Sequence, residues 1–348
     1  MSCYDFFAEF ALGEGMSQLK QAVDASGRKY ALLRDAPWTI RAQVLATGLA
    51  GDKTIGELIR EGDDKRNIGG YPKIIKDTAP FPAAFDIAAL CAPKLDCLAP
   101  LPGGSCLLRV GVRLLRPFAS KDDLAFYPIA NPLKREWVFQ APYLAAAGFK
   151  GLLRWAFRMY FGDREKTAET LLFGPRHEDV KDEDGQAGCL STWPLFWRGK
   201  VGLETFNPHD RLFGASKGPI KYEIVQAGGM ADIWLLLLNR RLEEAPAFLA
   251  KTVPPLLEAL CYLVTESGLS AKRGADWGTV VVTAAEAWLK DSRAPQAPAA
   301  GSIKSSDEKK FLYDLNAWFE AQCAEHLDGC PAVRACGMTG APRSPIDR

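Results

Sequence analysis

The chain has 348 residues, 48% hydrophobic and 24% charged, the make-up of a globular protein long enough for two domains or for one with large insertions. Lys and Arg number 43 against 42 Asp and Glu, a formal net charge of +1, which excludes a polycation that holds nucleic acid by overall charge; any nucleic-acid surface has to come from local clustering. Nine cysteines at irregular spacing, and a start (MSCYDFFAEFALGEG) with Asp5, Glu9 and Glu14 inside its apolar stretch, argue for reduced thiols in the cytoplasm and against a secretory signal. The longest apolar run, Ala231–Asn239, is too short to cross a membrane.

Residues 1–105 read as short helices joined by loops. Ser17–Asp24 and Thr54–Arg60 have helical spacing, whereas 61–105 is broken by Gly69, Gly70 and six prolines from Pro72 to Pro102. The texture changes at Cys106, where CLLRVGVRLLRPF alternates bulky apolar and polar residues as a half-buried strand does. A proline-interrupted extended segment, YPIANPLKREWVFQAPYL, leads into Ala146–Tyr160, whose Phe149, Leu152, Leu153, Ala156 and Phe157 fall on one helix face. After an acidic, Gly-containing loop at Phe173–Gln186 come strands at Gly188–Leu195, Lys200–Glu204, Lys221–Gln226 and Asp232–Leu238. Pro246–Glu266 is a long amphipathic helix ending at Gly268, its first proline in the opening turn where a missing N–H does no harm, and Gly278–Thr283 is a last strand.

That order, β, α, β, β, a hairpin, β, α, β, implies an α+β protein with a ferredoxin-like or RRM-like core and large helical and loop elaborations. The expected divisions are an N-terminal elaboration (1–105), the core (106–290), a flexible Pro/Ala/Ser-rich linker (291–306) and a C-terminal segment (307–348). The last contains a helix at Asp307–His326, with Phe311, Leu312, Leu315, Trp318 and Phe319 at helical spacing, and a disordered tail.

Two stretches suit a phosphate backbone. Gly148-Phe149-Lys150-Gly151-Leu152-Leu153-Arg154 opens a helix, so that glycine permits close approach, the helix start offers free N–H groups, and Lys150 and Arg154 share a face. The loop Gly268–Gly278 sets Lys272 and Arg273 between glycines with Trp277 beside them, a combination that fits an RNA backbone and an unstacked base. The first also reads as a Gly-containing helix start with solvated basic residues, and the second as a surface turn between helix and strand. Trp137, Phe139 and Tyr143 are aromatics for stacking on bases or for core packing. Cys323, His326, Cys330 and Cys336 are a candidate zinc set with uncommon gaps, set against a Cys323 that packs in the last helix. No P-loop, dinucleotide fingerprint or esterase elbow occurs.

Taken in sequence order, these stretches carry a family resemblance. PYLAAAGFKGLLRWAFR resembles the Pro-Tyr-Ile-Pro-Gly-Ser-Ser-Leu-Lys-Gly-x-x-Arg motif of the RAMP superfamily, the RRM-like subunits of type III CRISPR complexes. Lys150, Gly151 and Arg154 match, while Ala145–Ala147 replace the small Gly-Ser-Ser turn. Phe173-Gly174, Gly188-Cys189-Leu190, Pro219-Ile220 with Glu223, and the loop at Gly268 with its following strand are similar to further family segments, over Cys106–Thr283.

The resemblance implies a non-catalytic subunit of a type III effector ribonucleoprotein. Lys150, Gly151, Arg154, Lys272 and Arg273 would hold the guide-RNA backbone, with Lys134 and Arg135 reaching the guide or a target RNA. Other CRISPR-associated subunits would be its partners, with no membrane and no cofactor. Such binding is electrostatic, and base pairing reads the sequence. Target-cutting relatives carry an Asp in an Ile-Asp-Ser/Asn-Pro loop; Ile129-Ala130-Asn131-Pro132 has alanine there, with no proton to transfer, and Asp122 and Asp123 lie on the far side of Tyr127 and Pro128. Two alternatives stay open. One is a guide-processing endoribonuclease with His209 as general acid beside Asp210 and Arg211, in a segment that also reads as a polar turn. The other is an RRM-like scaffold that touches only protein.

Overall fold

The computed structural model describes residues 12, 16–50, 53–76, 87–124, 127–176, 187–208, 219–290 and 299–303. Among the described residues, the longer helices before the sheet are α1 (Met16–Val23), α2 (Trp38–Ala46), α3 (Lys53–Glu61) and α4 (Gly70–Lys76), with single turns at Gly27–Tyr30 and Ile87–Leu90. β1 (Cys106–Leu114) follows, then the short β2 (Tyr143–Leu144), α5 (Ala146–Phe161) and α6 (Lys166–Phe173). The rest comprises β3 (Leu190–Thr192), β4 (Leu195–Phe196), β5 (Val201–Phe206), β6 (Ile220–Val225), β7 (Met230–Leu237), α7 (Ala245–Cys261), β8 (Val280–Leu289) and β9 (Ala299–Ile303).

The main sheet is antiparallel in the order β3-β7-β1-β8-β9. With α5 between β1 and β3, and α7 between β7 and β8, its first four strands run β-α-β-β-α-β with the first strand central. It pairs with the third and fourth, and the second lies outside the third, which is the ferredoxin-like topology that the element order implies. Both crossover helices lie on one face. Phe149, Leu153 and Phe157 of α5 and Phe248, Leu249 and Leu256 of α7 share a core with Leu108, Val110, Ile233, Leu235 and Ala287. The same core takes in Leu19, Tyr30, Leu45, Ile59, Tyr71 and Ile74, so the N-terminal helices are packed onto the sheet layer, with α4 beside β5.

The structure departs from the sequence expectations in four places. The strand foreseen at 188–195 breaks at Pro194, which has no N–H for the ladder; β3 stays in the main sheet while β4 turns away to pair with β2. β1 is buried on both faces except at Arg109 and Arg113. Its outer-face Leu107 lies where Trp234 and Trp288 stack, 5.8 Å apart and nearly parallel. The linker expected over 291–306 does not extend through 299–303, which is strand β9. The segment of greatest membrane-like length and hydropathy is Ala247–Ser267, with Pro254 and Pro255 inside α7 and a π-helical turn at its end. Val253, Leu256, Leu257, Leu260 and Leu263 are buried in the protein's own core, which makes it a core helix.

Candidate functional site

The loop from Gly268 to Gly278 depends on its two end glycines. At Gly268 (φ +83°) an added Cβ would fall 2.4 Å from the Trp277 carbonyl oxygen, and at Gly278 (φ +79°) 2.4 Å from the Ser270 nitrogen. The loop is stitched to the chain that leaves β1: Ala271 N–H donates to the Ala119 carbonyl (2.9 Å) and Gly278 N–H to that of Pro117 (2.8 Å). The Ser270 hydroxyl donates to the Ala119 carbonyl and accepts from its N–H, each at 3.0 Å. Within this frame the two cations rest on aromatic rings. Lys272 Nζ lies 5.1 Å from the Tyr222 ring centre on β6 and 5.3 Å from that of Phe206 on β5. The Arg273 guanidinium lies 4.1 Å over Trp155 of α5, itself 37% exposed. Neither cation pairs with a carboxylate among the described residues, and Arg273 Nη1 is buried without a hydrogen-bond acceptor. Gly151, one helical turn before Trp155, has no described residue within 4 Å of where a Cβ would stand.

Three of the other basic candidates, Lys150, Arg154 and Arg135, are committed internally. Lys150 turns inward and donates to the Leu190 carbonyl (2.6 Å), and burial lowers its pKa. Arg154 donates to Glu169 (2.9 Å) and to the Gly174 carbonyl (2.9 Å), while Arg158 and Arg176 close on the same carboxylate at 2.7 Å. Glu169 is 1% exposed; burial alone would raise its pKa, but hydrogen bonds from Arg176, Arg154 and Arg158 outweigh it and bring the value down to about 2. Arg135 is therefore not alone in being consumed. Its side chain is buried against Glu223 (2.6 Å), donates to the Tyr127 hydroxyl (3.0 Å) and lies 4.5 Å over the Trp38 ring. The expectation that Arg135 reaches an RNA strand fails on that burial. Its neighbour Lys134 is half-buried and has no carboxylate partner among the described residues.

A cleft of roughly 810 Å³ has Tyr127, the partner of Arg135, in its wall. Ala130 lines it, and so do Asp122 and Asp123, which the order along the chain had put beyond Tyr127 and Pro128. The chain doubles back: Asp122 N–H donates to the Pro132 carbonyl (3.0 Å) and Lys121 bridges to Leu133, so the two aspartates and Ala130 share one cavity. Arg60 and Glu61 of α3 and Lys221 of β6 line it too, with Lys221 bonded to Glu61 and Lys121 3.1 Å from Asp123.

A family profile described as the RAMP superfamily matches residues 58–243, more than half of the chain. The chain belongs to the RAMP superfamily. No curated protein sequence matches it. Among solved structures, a chain of a cryo-EM structure of the type III-B Cmr-beta complex bound to cognate target RNA is similar at 12% identity, over 83% of this chain and 99% of that one, with a TM-score of 0.47. A chain of the crystal structure of a Csm3–Csm4 subcomplex of the type III-A CRISPR-Cas interference complex is similar at 14% identity, over 64% and 97%, with a TM-score of 0.40. A chain of a CRISPR RNA-guided surveillance complex is similar at 14% identity, over 63% and 84%, with a TM-score of 0.39.

In this RAMP chain the structure sets Arg273 on Trp155, one helical turn after Gly151, and Lys272 over Phe206 and Tyr222, while Arg135 and Arg154 are paired with Glu223 and Glu169. Sequence reasoning missed Trp155, Phe206 and Tyr222, the rings under the two cations. Of the aromatics it raised, Trp137 is 81% exposed on a turn that Glu136 caps by accepting from Val138 and Phe139 N–H. Phe139 and Tyr143 instead pack near Ile87, Ala141 and Phe196. His209, Asp210 and Arg211 lie outside the described residues, as do Cys323, His326, Cys330 and Cys336. Among the described residues no three His, Cys, Asp or Glu side chains gather for a metal.

Proposed function

We propose that this RAMP protein is an RNA-holding, non-cutting subunit of a type III CRISPR effector ribonucleoprotein of the cytoplasm, gripping the guide backbone and meeting other subunits with its remaining faces. The observation that carries the reading is Arg273: stacked on an exposed tryptophan of α5 and unpaired with any carboxylate among the described residues, with Gly151, whose Cβ position is open among those residues, one helical turn before that tryptophan. Arg109, Arg135, Arg154 and Arg198 are neutralised by Asp or Glu, whereas Lys272 and Arg273 rest on aromatic rings, an arrangement that suits an external polyanion. Trp155 supplies a π-face on which a base or a sugar edge can lie.

The test is binding of a labelled guide RNA across a salt series by the wild type and by a Lys272→Ala/Arg273→Ala variant. Removing two phosphate contacts is expected to lower the slope of log affinity against log salt by about two. Equal slopes and affinities for both proteins would reject this surface as the RNA site. A second reading, RNA cleavage by Asp122 or Asp123, has the shared cleft in its favour, since either carboxylate stands beside the position that Ala130 vacates. Cleavage of a guide-complementary RNA by the assembled complex, abolished by Asp122→Ala/Asp123→Ala, would establish it over the non-cutting reading.

A further inference from the structure

Among the described residues the crossover helices pack on one face of the main sheet. Alternation across β7-β1-β8 sends Arg109, Arg113, Asp232, Trp234, Glu286 and Trp288 to the other. Trp234 and Trp288 are partly exposed and stacked, 5.8 Å apart and 16° from parallel, and neither belongs to the core beneath α5 and α7. The Arg109 guanidinium stands 5.7 Å from the Trp234 ring centre. Flat rings with a cation beside them, held on a sheet, are surfaces on which unpaired bases stack.

The strand pairing adds a hydroxyl to this face. The register between β1 and β8 shifts at Gly111/Val112, where Thr283 is the extra residue of β8. A bulge of this kind re-aims a side chain. Thr283 is exposed, and its hydroxyl lies 3.0 Å from where a Cβ on Gly111 would stand, so the glycine leaves it room on the outer face. It has no hydrogen-bond partner among the described residues.

Charge selects the occupant. Three guanidiniums share the face with two carboxylates: Arg109 holds Asp232 (2.9 Å) and Glu286 (3.0 Å), and Arg198 also holds Asp232 (2.6 Å). The acids lie deeper, with side chains 10% exposed at Asp232 and 28% at Glu286, against 35% at Arg109 and 40% at Arg198. Arg113 is exposed and has no carboxylate partner among the described residues, so it is the surplus charge. From Leu107, between the two indoles, to Arg113 is about 20 Å along β1, room for the two or three bases that a sheet face stacks.

We propose that this outer face binds single-stranded RNA, with bases on the Trp234–Trp288 rings and the sugar-phosphate backbone at Thr283 and Arg113. The proposal rests on the reading of the chain as an RNA-holding subunit, and uses none of the residues of the Lys272–Arg273 surface.

The test titrates the full-length chain with a short, unstructured, labelled oligouridine across a salt series. Trp288→Ala, Trp288→Phe and Arg113→Ala are made in the wild type and in the Lys272→Ala/Arg273→Ala background, each checked for a cooperative thermal melt. Trp288→Ala is expected to weaken binding about 5- to 100-fold with the salt slope unchanged, because stacking releases no counterions. Trp288→Phe keeps a ring and recovers most of that loss. Arg113→Ala lowers the slope of log affinity against log salt by about 0.7, one phosphate contact on a single strand. Unchanged binding in Trp288→Ala and Arg113→Ala, with loss in Lys272→Ala/Arg273→Ala, would overturn this inference and leave the guide-holding surface standing. The converse pattern would remove the guide from Lys272 and Arg273 and support the outer face. Intact RNA binding in Trp288→Ala, with loss of co-purification with a neighbouring subunit, would give the face to a protein and overturn the inference.

Discussion

Replacing Glu223 with glutamine should show how the N-terminal helices are tied to the sheet layer. Glu223, on β6, is fully buried and accepts from Tyr71 of α4, from Leu133 N–H (2.9 Å) and from Arg135 (2.6 Å). Glutamine keeps the shape. Its one carbonyl oxygen can serve Leu133 and Arg135, and its new amide N–H can donate to Tyr71, whose hydroxyl turns to accept. What disappears is the countercharge of a guanidinium whose side chain is 4% exposed. Removing one partner of a buried pair costs about 3–5 kcal/mol. For a cooperative unit of about 290 residues the unfolding entropy is roughly 0.6 kcal/mol/K, so Tm should fall by about 5–8 °C. Thermal melts by circular dichroism would compare the wild type, Glu223→Gln, Arg135→Met and the double variant, with the double expected to be more stable than either single because it strands neither charge. A Glu223→Gln melt unchanged within about 1 °C, or a double variant that loses the sum of both singles, would refute the account.

Three further outcomes follow from the site. Glu169 has a folded pKa of about 2, below its unfolded value, so its stabilisation is complete above the ordinary carboxylate range and is lost as pH falls toward 2. Acid unfolding of Glu169→Gln should therefore be flatter than that of the wild type between about pH 5 and 2, with a neutral-pH stability lower by roughly 1–3 kcal/mol; parallel acid curves would exclude the three-arginine clamp. Lys150→Met should weaken RNA binding less than Lys272→Ala/Arg273→Ala in the same titration, because its ammonium already serves the Leu190 carbonyl; the reverse ranking would return the phosphate site to the start of α5. Gly278→Ala should destabilise by about 1–3 kcal/mol in urea melts, since its Cβ would meet the Ser270 backbone nitrogen at 2.4 Å.

The order of strands and helices in the core was legible from sequence because period-2 and period-3.6 patterns report which face of an element is buried, and β1, α5, α7 and β8 carry those patterns strongly. The Gly268–Gly278 loop was legible too, since glycines bracketing a basic pair mark backbone that other residues cannot adopt. Which cations stay free was not. Lys150, Arg154, Arg135, Lys272 and Arg273 look alike along the chain, and only tertiary packing sets Glu169 and Glu223 against two of them, a carbonyl against the third, and aromatic rings under the last pair. The same holds for Asp122, Asp123 and Ala130, brought into one cleft by a backbone reversal that no local pattern encodes. Periodicity is a property of neighbouring residues, whereas charge pairing and cavity walls are set by side chains from distant elements, so the sequence alone specified the scaffold and the fold assigned the roles.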